Sequence, residues 1–339
     1  MKVCVVGSGM SGATAARILA DGGNSVEVFE ARSHIAGNCF DENRGGVAFH
    51  TYGPHLFHTN NETVWNFLSR FTDWTEYRHR VVADTTLGRI SIPYNLHTEE
   101  QIGRRLSDDE IRTLIFVDYS QKQWGIPWAE LPAAITGRVP MRRETRDDRY
   151  FTDRFQGQPR EGYTKMFSRM LDGIPLRLNV GKTEWRRHAK RADLIIYTGK
   201  VDEYFDYCSG KLPYRSLRFE HSASDARLPH PVINQCNKLP FTRVYDHRWF
   251  GEDTNGGEAG QTIITREYPQ PHDATNEPYY PMPFGEGMAL YQQYKKLADK
   301  ESRTVFLGRL ATYSYLDMWM AAAQVFVKLR PLCGLAQTD

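Results

Sequence analysis

The sequence is poor in the features that mark disulfide-rich, membrane-spanning and nucleic-acid-binding proteins. Its 339 residues include only five cysteines and no Cys-x-x-Cys pair, so neither a disulfide framework nor a zinc site is expected and a reducing cytoplasm fits best. No apolar run approaches the roughly 20 residues that span a bilayer, and no signal peptide precedes the first strand. The net charge of +2 argues against a dedicated nucleic-acid-binding protein. We therefore expect a cytoplasmic globular protein without nucleic-acid partners or membrane insertion.

The first 30 residues have the pattern of a dinucleotide-binding βαβ unit. Lys2–Val6 is an apolar run typical of a buried parallel strand. The motif Gly7-Ser8-Gly9-Met10-Ser11-Gly12 follows, and Ala13–Ala20 predicts a helix. Ser25–Phe29 predicts the second strand, which ends at Glu30. This order of elements indicates a dinucleotide site; the alternative is a glycine-rich turn that only shapes the fold.

Each part of this motif has a separate physical role. Gly7 permits a tight turn, Gly9 lets the backbone approach a pyrophosphate, and Gly12 lets the helix pack on the strand. The helix N-terminus attracts phosphates, and Glu30 can accept hydrogen bonds from ribose hydroxyls. The segment that follows, Ala31–Asn38, resembles flavoproteins of the glutathione-reductase class, and no second Gly-x-Gly-x-x-Gly motif is present. These features favour FAD over NAD.

Beyond residue 40 the sequence predicts helices mixed with the strands of a second sheet. Thr98–Leu106 and Ser107–Val117 have the pattern of helices, and Ser107 with Glu110 forms a capping box. Asp253–Gly260 has the composition of a turn between two strands, and Tyr315–Lys328 predicts a helix that returns to the first domain.

Several segments, in order along the chain, resemble the bacterial UDP-galactopyranose mutase family. They are Gly53–Thr59, Tyr119–Gly125, Phe155–Gly157 with Gly162-Tyr163, Pro240–Arg243, Thr265–Pro269, Glu277–Pro281 and Gly308–Met318. The resemblance implies an α/β fold, in which a Rossmann-like FAD-binding domain carries an inserted helical domain and an antiparallel β-sheet domain. Residues 1–75, 176–210 and 285–339 would form the FAD domain. Residues 76–93, 140–175 and 211–284 would form the substrate sheet, and 94–139 the helical insertion, with a mobile loop around 135–149.

The resemblance also implies an isomerase that serves cell wall polysaccharide biosynthesis. Such enzymes interconvert UDP-galactopyranose and UDP-galactofuranose with no net redox change, and they act as homodimers. FAD must first be reduced, by NAD(P)H or another reductant, so that its N5 can form an adduct with the sugar. Three alternatives stay open: a related substrate such as UDP-N-acetylgalactosamine, a flavin amine oxidase-like enzyme, and a GDI-like binding protein without catalytic flavin.

The resemblance also implies which residues form the site. Their types suit the ligands, since arginine forks bind a diphosphate well and flat aromatic rings stack on a uracil. The expected catalytic residues are Arg138, Arg309, His55 and Arg243. The expected substrate contacts are Phe116, Tyr119, Trp124, Tyr150, Arg215, Asn234, Tyr280 and Tyr315. The expected cofactor contacts are Gly7, Gly9, Ser11, Gly12, Glu30, Ala31, Arg32, Asn38, His58, Gly308, Asp317 and Met318. No metal is expected, since His55 and His58 lack a third ligand.

These residues also have ordinary structural interpretations. Arg138 lies in an arginine-rich loop and could be a solvated charge, and a tyrosine or tryptophan is often a core residue. Three features depart from the family pattern: Ala36 replaces a glycine, His97–Glu100 differs, and the chain is shorter than typical members. The departures leave the exact sugar open.

Overall fold

A computed structural model describes residues 1–137, 141–251, 261–273 and 275–333. The strands are β1 (Lys2–Val6), β2 (Ser25–Phe29), β3 (Asp41–Arg44), β4 (Val47–His50), β5 (Phe57–Thr59), β6 (Val81–Thr85), β7 (Gly88–Ile92), β8 (Phe155–Gly157), β9 (Leu176–Arg177), β10 (Leu194–Tyr197), β11 (Tyr214–Ser224), β12 (Val232–Gln235), β13 (Arg243–Asp246), β14 (Thr262–Pro271), β15 (Tyr280–Pro281) and β16 (Thr304–Phe306). The helices are α1 (Met10–Asp21), α2 (Glu62–Leu68), α3 (Leu96–Ile102), α4 (Asp108–Ile111), α5 (Asp118–Trp124), α6 (Ala133–Thr136), α7 (Tyr163–Met170), α8 (Lys182–Ala189), α9 (Val201–Tyr204), α10 (Gly285–Ala298), α11 (Gly308–Ala311) and α12 (Met318–Cys333). Within these ranges no helix has the length and apolar character needed to cross a membrane.

The N-terminal unit is built on a five-stranded parallel sheet with the order β16-β10-β1-β2-β9. Both predicted strands of the βαβ unit are confirmed with their bounds, and their apolar residues are buried between layers. Helix α1 begins at Met10, earlier than predicted, since Gly9 occupies its N-cap position. Its apolar face shares one core with α12 and with Tyr163, Met166, Phe167 and Met170 of α7.

Two sequence-based bounds in this unit need correction. The sequence assigns residues 140–175 to the substrate sheet. Within this range, however, α7 packs in the core that it shares with α1 and α12, because its apolar residues recur at helical spacing. The predicted helix Tyr315–Lys328 begins only at Met318 and continues to Cys333. The first backbone hydrogen bond at its start runs from Ala321 to the Asp317 carbonyl, whereas the carbonyl of Leu316 accepts from the Arg309 side chain.

The second sheet has seven strands in the order β15-β11-β14-β13-β12-β6-β7. All neighbouring strands are antiparallel except β12 and β6, which run parallel. A parallel pair needs a long connection, and the chain between β6 and β12 includes the helices α3 to α9. The register sets Tyr280 opposite Arg215, and it sets Arg243 between Asn234 on one side and Glu267 on the other. Sheet pairing alone therefore brings together residues that are distant in sequence.

The helical insertion lies between β7 and β8, and its helices differ from the prediction. Helix α3 begins at Leu96 because Asn95 caps it, and it ends before Gly103, which has a left-handed φ of 83°. The Ser107–Glu110 capping box is confirmed. The helix after it does not stop at Val117: a π-helical segment, Arg112–Val117, leads into α5.

The sequence predicts a mobile loop around 135–149. The second half of this loop is held by several hydrogen bonds and ion pairs. Arg142 donates hydrogen bonds to the backbone carbonyls of Asp147, Arg149 and Tyr150. Two further ion pairs hold the same stretch to the helices, Arg143 with Asp108 and Arg146 with Glu100. Arg138, the expected loop arginine, lies outside the described residues, as does the predicted turn at 253–260.

Candidate functional site

The first turn of α1 is prepared for an anion. Its N-cap, Gly9, has no side chain to accept the free N–H groups, and no acidic residue lies in the first turn. Such N–H groups and the helix dipole attract phosphate. A Cβ atom at Gly9 would lie only 3.6 Å from the Cα of Gly37, so backbone approaches backbone closely here.

Glu30 and Arg32 form the polar wall beside this turn. Glu30 is buried, and its Oε2 accepts hydrogen bonds from N and Oγ of Ser8 at 2.8 and 2.7 Å. Arg32 donates from one amino group to Asn38 and to Glu277. The other amino nitrogen of Arg32, Nη1, is buried and has no partner in the described part of the chain. An unpaired buried donor next to an oriented carboxylate fits the phosphates and ribose of a dinucleotide, whereas neighbouring Ala31 is exposed.

The remaining predicted cofactor contacts lie where α1 meets α11 and α12. Gly308 has a left-handed φ of 84°, and a Cβ atom there would lie 3.0 Å from the Oγ of Ser11. Ser11 donates to the carbonyl of Ala321 at 3.3 Å. The sulfur of Met318 accepts from the Cys39 thiol at 3.6 Å. Asp317 directly precedes α12.

Gly12 and Gly7 are required by packing. A Cβ atom at Gly12 would lie 1.9 Å from the carbonyl oxygen of Gly7, and one at Gly7 would lie 2.1 Å from Oγ1 of Thr198. We expect Gly12→Ala to displace α1 and abolish dinucleotide binding, measured as dinucleotide absorbance per mole of purified protein. Gly181→Ala is the matched control, because a Cβ atom there meets nothing within 4 Å. Normal dinucleotide content in Gly12→Ala would contradict the packing argument.

An aromatic and cationic cluster joins the N-terminal unit to the second sheet. Tyr280 of β15 stacks on Tyr315 with ring centroids 5.5 Å apart. Trp124, at the end of α5, lies 6.2 and 5.9 Å from these two rings. The guanidinium carbon of Arg309 lies 5.9 Å from the Tyr280 centroid and 5.4 Å from that of Tyr315. Four residues predicted from separate segments are therefore brought together.

A buried ion pair extends this cluster along the sheet. Arg243 binds both carboxylate oxygens of the fully buried Glu267, at 2.7 and 2.9 Å from its Nη2. Burial alone would lower the pKa of Arg243, but the Glu267 carboxylate raises it well above its usual value, so the guanidinium stays charged. Burial raises the pKa of the nearby Tyr119 phenol, and the charge of Arg243 offsets only part of that rise. A Cβ atom at Gly53 (φ +93°) would lie 3.6 Å from Oε2 of Glu267. The Gly53–Thr59 segment therefore begins next to the buried ion pair.

Arg215 is positioned differently from what a free phosphate-binding arginine requires. Its Nε donates to the Gln123 carbonyl at 2.9 Å and its Nη2 to the Lys122 carbonyl at 3.2 Å, so it caps the C-terminus of α5. A Cβ atom at Gly125 would lie 2.7 Å from Nη1 of the same arginine. Burial lowers the pKa of Arg215. Arg215 therefore holds the helix that carries Trp124.

Two other predicted substrate contacts pack against a second hydrophobic core, which includes Tyr94, Ile115 and Tyr245. Phe116, from the π-helical segment, and Tyr150 both contact this core. The backbone N–H of Tyr150 donates to the His79 carbonyl at 2.7 Å. Asn234 is buried opposite Arg243.

The two predicted histidines lie on different networks. His55 is bonded through Nδ1 to the Gly53 carbonyl at 2.8 Å, and burial lowers its pKa to about 3. His58 contacts Asp153 at 2.9 Å and stacks on Phe151 with centroids 3.6 Å apart. Within the described residues, no group of three or more His, Cys, Asp or Glu could hold a metal ion.

Buried histidines predict acid sensitivity. Burial lowers the pKa of His50 to about 4, of His55 and His79 to about 3, and of His247 well below its usual value. Because the unfolded chain binds these protons near pH 6.5 and the folded chain does not, stability is highest above pH 6.5 and falls as the pH drops below it. Each histidine contributes about 1.4 kcal/mol per pH unit. Urea unfolding between pH 7.5 and 5 should show this slope, and His79→Gln should reduce it by about one histidine's share. The exposed His97, changed to Gln, is the control; a slope unchanged in His79→Gln would contradict the assignment.

Sequence reasoning missed three residues of this region. Glu267 is a fully buried acidic residue within β14. An acidic residue in a strand of this kind is a signal that could have indicated an ion pair. Tyr313 has a left-handed φ of 45° and donates to the Pro213 carbonyl at 2.6 Å, which no local pattern predicts. The third missed residue is Lys122, whose side chain donates to four backbone carbonyls.

A separate cavity of about 670 Å³, lined by residues of β3, β4 and α7, contains none of the predicted site residues.

Comparisons with known proteins agree with this geometry. A sequence profile for UDP-galactopyranose mutase matches residues 114–315, and one for an NAD(P)-binding Rossmann-like domain matches residues 5–71. The dTDP-fucopyranose mutase of Escherichia coli is 34% identical, with 96% of this chain and 98% of that protein covered. A probable UDP-galactopyranose mutase of Klebsiella pneumoniae is also 34% identical, with 95% and 92% covered.

Solved structures share the fold. The crystal structure of a reduced UDP-galactopyranose mutase superposes with a TM-score of 0.77 at 14% identity, covering 99% of this chain and 96% of that one. A putrescine oxidase gives a TM-score of 0.60 at 13% identity, covering 98% and 99%. The predicted Rossmann-like α/β fold is thereby confirmed. Since the family profile covers more than half of the chain and near-full-length relatives exceed 30% identity, the chain belongs to the UDP-galactopyranose mutase family.

Proposed function

We propose that this protein is an FAD-dependent mutase that interconverts the pyranose and furanose forms of a nucleotide-linked sugar, with UDP-galactose as the leading substrate. The observation that carries the proposal is the cluster of Arg309, Tyr280, Tyr315 and Trp124 between the dinucleotide unit and the second sheet. A guanidinium and two phenols suit a diphosphate, and the indole offers a flat face to a sugar.

The chain's own residues bind and orient the substrate in this proposal. Arg309 and the two tyrosines hold the diphosphate through ring closure and return of the nucleotide, while Arg243, fixed by Glu267, adds positive charge next to Tyr119. His55 is neutral above about pH 4, with its Nδ1 bonded to the Gly53 carbonyl. Arg138, which lies outside the described residues, is proposed as a further arginine contact to the diphosphate. FAD, when bound and reduced by NAD(P)H or another reductant, supplies the nucleophile for the anomeric carbon.

A second substrate is supported by a specific observation. The relative named dTDP-fucopyranose mutase is as similar to this chain as the UDP-galactopyranose mutase relative, each at 34% identity over nearly the full length. A thymidine nucleotide and a 6-deoxy sugar are therefore a second candidate substrate for the same site.

The test is an assay of dithionite-reduced protein with UDP-galactofuranose, dTDP-fucofuranose and UDP-N-acetylgalactosamine, with products resolved by chromatography. We expect pyranose product from UDP-galactofuranose under reducing conditions and none with oxidised protein. Turnover of the dTDP-sugar alone would assign the second substrate. No product from any of the three, or equal rates without reduction, would refute the mutase proposal.

Two further properties belong to this proposal. A reducing cytoplasm is supported by Cys4, Cys39, Cys208 and Cys236, which are free thiols. A homodimer is proposed from the family resemblance, and light scattering of the purified protein tests it.

A further inference from the structure

One lysine of the candidate site makes an unusual set of contacts. Lys122, near the end of α5, donates from Nζ to four backbone carbonyl oxygens. They are those of Gln235, Asn237, Leu239 and Phe241, at 2.7, 2.9, 2.9 and 3.0 Å. An ammonium group has only three N–H donors, so the four oxygens share them around one cation.

The four acceptors come from alternate residues of one continuous stretch, which runs from the last residue of β12, Gln235, through the loop to β13. Four carbonyl dipoles that converge on one point repel each other unless a positive charge lies there. The outer side of this loop is satisfied separately, since Cys236 N donates to the Asp84 carbonyl and Leu239 N to the Asn237 side chain. The inward face therefore depends on Lys122.

The loop and the helix each carry candidate substrate contacts. The loop joins Asn234 to Arg243, which are cross-strand partners, and α5 carries Tyr119 and Trp124. The side chain of Lys122 thus ties these two elements to each other directly.

We propose that Lys122 is a positioning residue for the nucleotide: its ammonium holds the β12–β13 loop against α5, so that Asn234 and Arg243 are already set beside Tyr119 when the substrate binds. The ligand class, a nucleoside diphosphate, rests on the proposed function. A merely structural lysine would change flavin content, KM and kcat together. A positioning lysine changes KM and the dissociation constant of UDP, with flavin content and kcat little affected.

The test compares Lys122→Ala with Lys238→Ala, which removes an exposed loop lysine paired with Asp118 and should have little effect. We expect Lys122→Ala to weaken UDP binding by about 10- to 100-fold, the range expected for losing hydrogen bonds from a charged donor. Calorimetry measures UDP binding, and steady-state kinetics separate KM from kcat. Added methylammonium should restore much of the UDP affinity by entering the carbonyl ring, whereas choline, which has no N–H donor, should not.

Lys122→Met gives the second comparison, because its methyl end fills the space without donors and should not respond to methylammonium. Wild-type affinity in Lys122→Ala, or equal rescue of both variants, would overturn the proposal. If Lys122→Ala does not fold, Lys122→Gln takes its place. It keeps two neutral donors but loses the charge and fills the space, so we expect a smaller loss of UDP affinity and no response to methylammonium, and wild-type UDP affinity there would overturn the proposal. Recovery of the thermal midpoint by methylammonium, measured without nucleotide, tests the loop anchor alone. Failure of the wild type to bind UDP would instead refute the ligand class.

Discussion

Replacing Arg309 with alanine is expected to lower kcat/KM for the sugar nucleotide by about 10²- to 10³-fold, the loss typical of removing one preorganised donor to a developing negative charge. The Nε of Arg309 donates to the Leu316 carbonyl, so the planar guanidinium is held in a fixed direction beside the stacked rings of Tyr280 and Tyr315. Since this orientation is set before substrate binds, the charge would, in the proposed mechanism, stabilise the departing nucleotide without reorganisation. Steady-state kinetics of the reduced enzyme measure the effect.

The matched control is Arg218→Ala. Arg218 also lies over a tyrosine, with its guanidinium carbon 4.1 Å from the Tyr268 centroid, but it is exposed and paired with Glu220 on the outer part of β11. We expect near-normal activity there. Arg309→Lys should fall between wild type and Arg309→Ala, because it keeps the charge but loses the fork. Wild-type turnover in Arg309→Ala with full flavin content would remove Arg309 from the mechanism.

The parts of this protein that sequence predicted well are those set by local chemistry. Gly7 and Gly12 occupy positions that have no room for a Cβ atom, and the spacing of the three glycines indicates the βαβ unit directly. Helix ends were less predictable, because the helix that begins at Asp108 continues through a π-helical segment into α5 and stops only at Gly125, whose left-handed conformation ends it. Propensity alone does not indicate such a segment.

Pairings between distant segments could not be read from the sequence. Arg243 and Glu267 meet because β13 and β14 are neighbours in the sheet, and Arg309 reaches Tyr280 only because α11 packs against β15. Arg215 was predicted to contact the substrate, yet the fold uses its guanidinium to cap α5. The residues predicted from separate segments include four that lie together, Trp124, Tyr280, Arg309 and Tyr315, but the sequence did not indicate which predicted residues already make internal hydrogen bonds.

The ion pair between Arg243 and Glu267 allows stability and catalysis to be separated. We expect Arg243→Met alone to lower the free energy of unfolding by about 3–5 kcal/mol, because it leaves the fully buried Glu267 carboxylate without its partner. The double variant Arg243→Met with Glu267→Leu should recover most of that loss, since an apolar pair of similar volume replaces the buried charges. Urea unfolding measures both.

Activity should not follow stability in these variants. If Arg243 contributes charge to the nucleotide, kcat/KM stays as low in the double variant as in Arg243→Met even where folding is restored, so the double-mutant cycle gives different interaction free energies for stability and for catalysis. Glu267→Leu alone provides the remaining corner of the cycle and should leave Arg243 charged but free to turn away from Tyr119. Recovery of full activity together with stability would mean that the arginine serves only to neutralise Glu267, and the positive charge for the substrate would then have to come from Arg309.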